Sequence, residues 1–312
     1  MAASINAADV GQRVVLRRRV GAVDGRPRYT DVLGELRSLT AEVAVVRRRD
    51  GTEVAVPTGE IALAKRVPPP RVHRAPVPVL ELERIAALGW PGTESEEREG
   101  WLLRAGGGFT GRANSALPLT GEADVCTVLR WYAERGLRPV VQLPLPTRDD
   151  LRTTLTDQGW EPLHGAVVLT ATRRDVLAAT EPRDLPAIDV AGDPDDDWLS
   201  LYHYRGGQLP PCAVDVLRAG HPEFVTLRLD GRVAAICRTA TAEGWLGLTA
   251  VEVDPTLRRR GLATHLLRQV AERTGAPGLY LQTEHSNTAA LELYGRAGFT
   301  PHHEYRYLRA PA

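Results

Sequence analysis

The sequence predicts an α+β chain in which a small N-terminal β-barrel precedes two mixed α/β units, the first of them degenerate. Three observations predict it. Residues 8 to 66 alternate short β-rich stretches with turn residues, a proline-rich stretch follows, and the remainder contains an internal repeat.

In the first segment, "QRVVLRRRV", "TDVLGELRSL" and "EVAVVRRRDGTEVAVP" read as strands, and Asp50-Gly51 between two alternating runs is a hairpin signal. Five or so short strands in so small a segment make a compact barrel over residues 1–67 that resembles the SH3-like barrels. The arginine triplets at 17–19 and 47–49 alternate outward with few aromatics to stack on bases, so a solvated face is expected and nucleic acid is not. Next comes "RVPPPRVHRAPVPV", too rich in proline for a helix interior, which marks a linker over 68–80.

The repeat aligns "LRWYAERGLRPVVQLPLPTRDDLRTTLTDQGWEPLHGAVVLTA" with "LRQVAERTGAPGLYLQTEHSNTAALELYGRAGFTPHHEYRYLRA", about 140 residues downstream. Both read helix, strand, helix, aromatic corner, strand, with Gly159-Trp160 matching Gly298-Phe299 and His164 falling near His303. The copies are placed at 81–182 and 183–312, with the acidic "TEPRDLPAIDVAGDPDDD" leading into the second.

Composition removes some function classes. Among 312 residues, 39 Lys and Arg balance 39 Asp and Glu, so the whole molecule has no electrostatic footprint for nucleic acid or an anionic membrane. Lys65 is the only lysine. Cys126, Cys212 and Cys237 lack metal-ligand spacing and read as buried thiols; no metal is expected. No apolar run approaches the roughly 18 residues of a membrane helix, and the start lacks a signal core, so a cytoplasmic location is expected.

In the second copy, "FVTLRLDGRVAAICRT" is a hairpin turned at Asp230-Gly231, "WLGLTAVEV" is a third strand, and a helix follows from about Thr264 to Arg273. A strand passing through a small-residue loop into a helix exposes unsatisfied N–H groups and the positive end of the dipole, which makes an anion site. Gly261 lets a phosphate approach, Ala263 keeps the next approach open, and Arg258 to Arg260 supply charge-assisted bonds. The first copy has "TGEADV" there, with Glu122 and Asp124 repelling phosphate, and Leu155 or its neighbour in place of Tyr294. The glycine-rich "GGGFTGRANS" (106–115) is also a candidate ligand loop, although no helix follows it directly.

Downstream, "LYLQTEHSNTAALELYGRAGF" places Asn287 before a helix and Tyr294 two turns further on the same face. With "VDPTLRRRGLATHLL", it resembles the GNAT superfamily of N-acetyltransferases over residues 187–312. The resemblance implies acetyl-coenzyme A as cosubstrate and an amine, on a small molecule or a protein, as acceptor by direct attack. It implies that Val251 and Val253 offer backbone groups to pantetheine. It further implies that Arg258, Arg259, Arg260, Gly261, Leu262, Ala263 and Thr264 hold the pyrophosphate, that Asn287 contacts the pantetheine arm, and that Tyr294 protonates the leaving thiolate.

The general base stays open. Some relatives carry glutamate where this chain has Gln282, which enters the candidate catalytic set but cannot take a proton. Glu252, Glu284 and His203 are the alternatives, although strand alternation turns Glu252 away from the face of Val251 and Val253. Tyr202, His203 and Tyr204 in "LYHYRGG" occupy the region of the acceptor site, and "HHEYRYL" reads as the last strand with His302 and His303 at its mouth. A non-catalytic reading, in which the barrel binds a peptide or nucleic acid and the rest carries it, stays open beside the enzyme.

Overall fold

A computed structural model describes residues 5–6, 9–23, 26–48, 52–66, 77–121, 123–203 and 208–311. The chain divides into two compact units, Met1–Pro76 and Val77–Ala312. The first is a five-stranded antiparallel sheet of β1 (Arg13–Val23), β2 (Arg26–Leu39), β3 (Val43–Arg47), β4 (Glu53–Pro57) and β5 (Ile61–Arg66) in the order β4-β3-β2-β1-β5. Period-2 alternation sends Val14, Leu16, Val32, Leu36, Ala44 and Val46 inward and leaves Arg17 and Arg19 exposed. Bulges in β1 and β2 let so few strands bend around that core. Asp50 and Gly51 lie outside the described residues, but β3 and β4 pair antiparallel on either side of them, closing at Arg47 opposite Glu53.

The second unit opens with α1 (Val79–Gly89), β6 (Glu94–Arg98), β7 (Trp101–Ala105), β8 (Leu117–Pro118), α2 (Val125–Ala133), β9 (Val140–Leu145), α3 (Asp149–Asp157), β10 (Glu161–Thr172) and α4 (Arg173–Ala179). It continues through β11 (Asp189–Ala191), α5 (Asp196–Leu201), α6 (Ala213–Arg218), β12 (Glu223–Leu229), β13 (Arg232–Ala242), β14 (Trp245–Val253), α7 (Leu262–Arg273), β15 (Gly278–Thr283), α8 (Thr288–Arg296) and β16 (Thr300–Arg309). The β12–β13 hairpin turns at Asp230 (φ 51°) and Gly231 (φ 79°), both left-handed as a two-residue hairpin turn requires.

The sequence places a boundary near residue 183, yet both copies contribute to one eight-stranded sheet, ordered β11-β12-β13-β14-β15-β10-β16-β9. The copies exchange their last strands. β10, which ends the first copy, pairs with β15 of the second, while β16, which ends the second, pairs with β9 of the first. The two exchanged strands pair with each other, between β15 and the edge strand β9. Residues 165–171, "GAVVLTA", carry no charge and no alternation, as suits a strand covered on both faces, and nearly all are buried. The parallel β14–β15 pair has a reduced counterpart in the parallel bridge between Ala116 and Val141.

Both sheet faces are covered. On one, Leu266, Leu267 and Val270 of α7 pack with Val176 of α4, Tyr294 of α8 and Phe299 against β13–β15. Each fully buried leucine there contributes about 1.5–3 kcal/mol. On the other, α1 packs Leu82, Ile85 and Ala86 onto Tyr280, Tyr305 and Tyr307. Trp101, Trp131 and Leu155 fill a separate core beneath β7 and β9. Among the described residues, no helix is long and apolar enough to cross a membrane.

Candidate active site

The site begins where two parallel strands part. β14 pairs with β15 from Trp245/Gly278 to Leu248/Leu281 and no further. Its pairing with β13 shifts register over the next residues, where Ala250 takes φ 50°, so a bulge turns the end of β14 away from β15. The parting opens a cleft of about 380 Å³. Val251, Glu252, Gln282, Asn287 and Tyr294 line one side, and the first copy supplies Trp90, Arg112 and His164 to the rest.

The loop between β14 and α7 brings arginines and uncapped backbone N–H groups together. Asp254 accepts from the N–H (2.8 Å) and hydroxyl (2.6 Å) of Thr256, holding the turn Pro255–Leu257. Arg259 (φ 65°) and Gly261 (φ 80°) are left-handed, and α7 starts at Leu262 without a side-chain cap, so its first N–H groups face the loop. A Cβ at Gly261 would stand 2.5 Å from Cζ and Nη1 of Arg183. The sequence hides Arg183 in an acidic linker; the linker is held to α7 by the ring Nε2 of His265 and the carbonyl of Pro186, 2.9 Å apart. Leu262 is buried, while Ala263 and Thr264 are half-buried. The matching start of α2 is already satisfied, because the Asp124 carboxylate accepts from the N–H of Cys126 at 2.9 Å. Glu122 lies outside the described residues.

On the cleft wall, Asn287 caps α8, its amide oxygen accepting from Ala290 N–H at 3.2 Å. Tyr294, seven residues on, is 7% exposed and packs edge-on against Phe299. Burial pushes its hydroxyl well above the usual phenol range, so it stays protonated at any working pH. Gln282 is half-buried, but its amide oxygen and nitrogen are both shielded from solvent without a partner. Val251 and Val253 pack toward the α7 core, as alternation requires.

Glu252 does point to the opposite face, and that face is where the cleft and His203 lie. Its Oε1 accepts from the backbone N–H of His203 at 2.9 Å, and Oε2 stands 3.5 Å from the imidazole Nδ1. Burial raises its carboxyl above the usual range, partly opposed by the His203 hydrogen bond. The same Nδ1 lies 2.7 Å from the carbonyl of Leu201, which leaves Nε2 as the ring's basic nitrogen. Tyr202 is buried against Trp198 with its ring 5.3 Å away, yet borders the cleft; Glu284 sits exposed at the rim. Tyr204 lies outside the described residues.

Two expectations are corrected. Cys126 is exposed on the first turn of α2, and of the three thiols Cys237 alone is fully buried. His302 and His303 sit at no mouth, because the strand exchange places β16 between β10 and β9, beneath α1. There His303 Nε2 meets Glu83 at 2.8 Å, Gln142 Nε2 donates to Glu83 at 2.7 Å, and the buried Arg104 donates to Gln142 at 2.8 Å. Among the described residues, no group of three or more His, Cys, Asp or Glu could hold a metal ion.

Comparison with known proteins identifies the family and the fold. The family model described as "Probable histone acetyltransferase Rv0428c C-terminal" matches residues 78–308, and "Rv0428c N-terminal Sm-like domain" matches 8–65. The chain is 32% identical to the Probable histone acetyltransferase Rv0428c of Mycobacterium tuberculosis, covering 96% of this chain and 95% of that one. It is 25% identical to the Uncharacterized N-acetyltransferase YobR of Bacillus subtilis, over 73% of this chain and 97% of that protein. The second unit shares its fold with a GCN5-related N-acetyltransferase from Kribbella flavida (TM-score 0.55, 16% identity, 75% of this chain and 96% of that one). The chain therefore belongs to the Rv0428c family, an Sm-like barrel joined to a GNAT-type acetyltransferase.

Proposed function

We propose that the chain moves an acetyl group from acetyl-coenzyme A to an amine held in the cleft between β14 and β15. The observation that carries this reading is the uncapped, glycine-started α7 beside four arginines, reached directly from the end of β14, whose Glu252 lines one cleft with Tyr294. The coenzyme supplies an activated acyl carbonyl and a thiol leaving group. Arg258, Arg259, Arg260 and Arg183 meet the diphosphate together with the N–H groups of Gly261 to Thr264. The unpaired edge of Val251–Val253, the amide of Asn287 and the unpartnered amide of Gln282 offer hydrogen bonds to the pantetheine arm.

Glu252 removes the ammonium proton, directly or through water, so that the neutral nitrogen can form the C–N bond; its raised affinity for a proton suits it to that task. As the C–S bond breaks, the Tyr294 hydroxyl gives its proton to the sulfur. Among the sequence's alternatives for the base, Glu252 is favoured because it is half-buried and oriented by His203, whereas Glu284 is exposed. The name of the Mycobacterium relative adds a protein lysine to the possible amines. Calorimetric titration with acetyl-coenzyme A tests the first step: saturable binding is expected, and no heat at millimolar ligand would refute the transferase reading.

A further inference from the structure

The glycine-rich stretch 106–115 has no part in the transfer as drawn, yet it forms a pinned loop on the cleft wall. Asn114 holds it from within. Its Oδ1 accepts from the N–H groups of Gly106 (2.8 Å) and Gly108 (2.9 Å), and its Nδ2 donates to the carbonyls of Phe109 (2.8 Å) and Thr110 (2.9 Å). Two further contacts fix it, one to the end of α1 and one to β16. The Trp90 indole donates to Thr110 Oγ1 at 2.9 Å, and Gly111 lies so near Tyr307 that a Cβ would stand 3.0 Å from its ring.

The pinned loop delivers Arg112 to the cleft, with its guanidinium 5.5 Å from the centroid of the Trp90 ring. Among the described residues, no carboxylate lies within ion-pair distance of Arg112 and no acceptor takes its N–H groups. That is unlike Arg84, Arg135 and Arg228, which are matched by Glu243, Glu94 and Asp197. Arg238 stacks on the same indole at 4.4 Å and spends its donors on the carbonyls of Leu217, Gly89 and Ala219, so it brings no acid either. The cleft thus has a guanidinium end with no counter-charge and, on β14, a carboxylate end at Glu252. A planar fork resting on an aromatic ring with its donors unspent is how a protein receives a carboxylate.

We propose that Arg112 selects the acceptor, and that the acceptor is an amine bearing a carboxylate, seated with its nitrogen toward Glu252 and its anion on Arg112. This rests on the reading that the acceptor occupies this cleft. A loop from the degenerate copy then supplies specificity to the active one.

The test is a binding titration of the wild-type chain and of Arg112→Gln and Arg112→Lys with paired probes, the α-amino acids and straight-chain ω-amino acids beside their carboxamides. Folding of each variant is checked by its melting curve. At least one acid should bind roughly tenfold or more tightly than its amide. Arg112→Gln should erase that preference without weakening the amide, and Arg112→Lys should restore part of it. Equal affinity within every pair, or a preference that survives Arg112→Gln, would overturn the proposal, as would a lysine peptide bound better than every acid independently of Arg112. Acetyl-coenzyme A is titrated separately. A chain that ignores the coenzyme but shows Arg112-dependent acid binding loses the transferase reading and with it the acceptor role, and keeps only the carboxylate site at Arg112.

Discussion

The backbone N–H of His203 donates to Oε1 of Glu252 at 2.9 Å, tying the segment after α5 to the carboxylate that faces the cleft. Burial outweighs that bond and raises the carboxyl's proton affinity. A carboxyl with a raised folded pKa contributes its full stability below its unfolded value, about 4.3, and loses it as pH rises through the folded value. Glu252→Gln should therefore melt above wild type near about pH 8 and alongside it near about pH 4. The same variant should lose roughly 10²- to 10⁴-fold in turnover, together with the acid limb of the kcat/KM profile. Identical melting at both pH values would mean that the carboxylate is not strained by burial.

Tyr294→Phe keeps the ring against Phe299 and removes the hydroxyl alone. Turnover should fall by roughly 10²- to 10⁴-fold. Acetyl-coenzyme A affinity should change by no more than the loss of one hydrogen bond, about 1 kcal/mol. A variant within a few-fold of wild type would show that water protonates the thiolate.

Gly261→Glu places a side chain in a left-handed position, against Arg183 and in front of the α7 N–H groups. Calorimetry should show coenzyme binding lost, with melting lowered by several degrees for the strain of about 1–3 kcal/mol but the chain still folded. In the wild type, the stoichiometry should be one per chain, because the α2 start is already capped by Asp124. Two sites would contradict the role assigned to that cap.

Glu83 joins α1 to the exchanged strand, accepting from Gln142 and meeting His303 while the buried Arg104 stands one residue further along the chain of contacts. Its removal leaves these polar groups unpaired, so Glu83→Ala should cost about 3–5 kcal/mol in urea unfolding. Glu83→Gln, which keeps an acceptor, should cost less. Equal losses would mean that the network needs the carboxylate charge itself and that an acceptor at this position does not substitute for it.

What the sequence disclosed is whatever local chemistry dictates. The strand 245–253, the Asp230-Gly231 turn and Asn287 at the start of a helix follow from alternation, turn residues and spacing. The strand exchange was not legible, because which neighbour β10 and β16 choose depends on how two repeats close over one another, and both choices bury the same apolar faces. Arg183 and Arg112 were hidden for a related reason: each belongs to an irregular segment with no periodicity and reaches its site through tertiary contacts. The bulge at Ala250 was equally silent, and it is what opens the cleft onto Glu252.

The most direct measurement is the release of free coenzyme A thiol by the purified chain across an amine panel, with the product identified by mass. Release should require an amine, match acetylated amine mole for mole, and fall in Glu252→Gln and Tyr294→Phe while coenzyme binding persists. Thiol release indifferent to every amine, or none at all from a chain that binds acetyl-coenzyme A, would contradict acetyl transfer in this cleft.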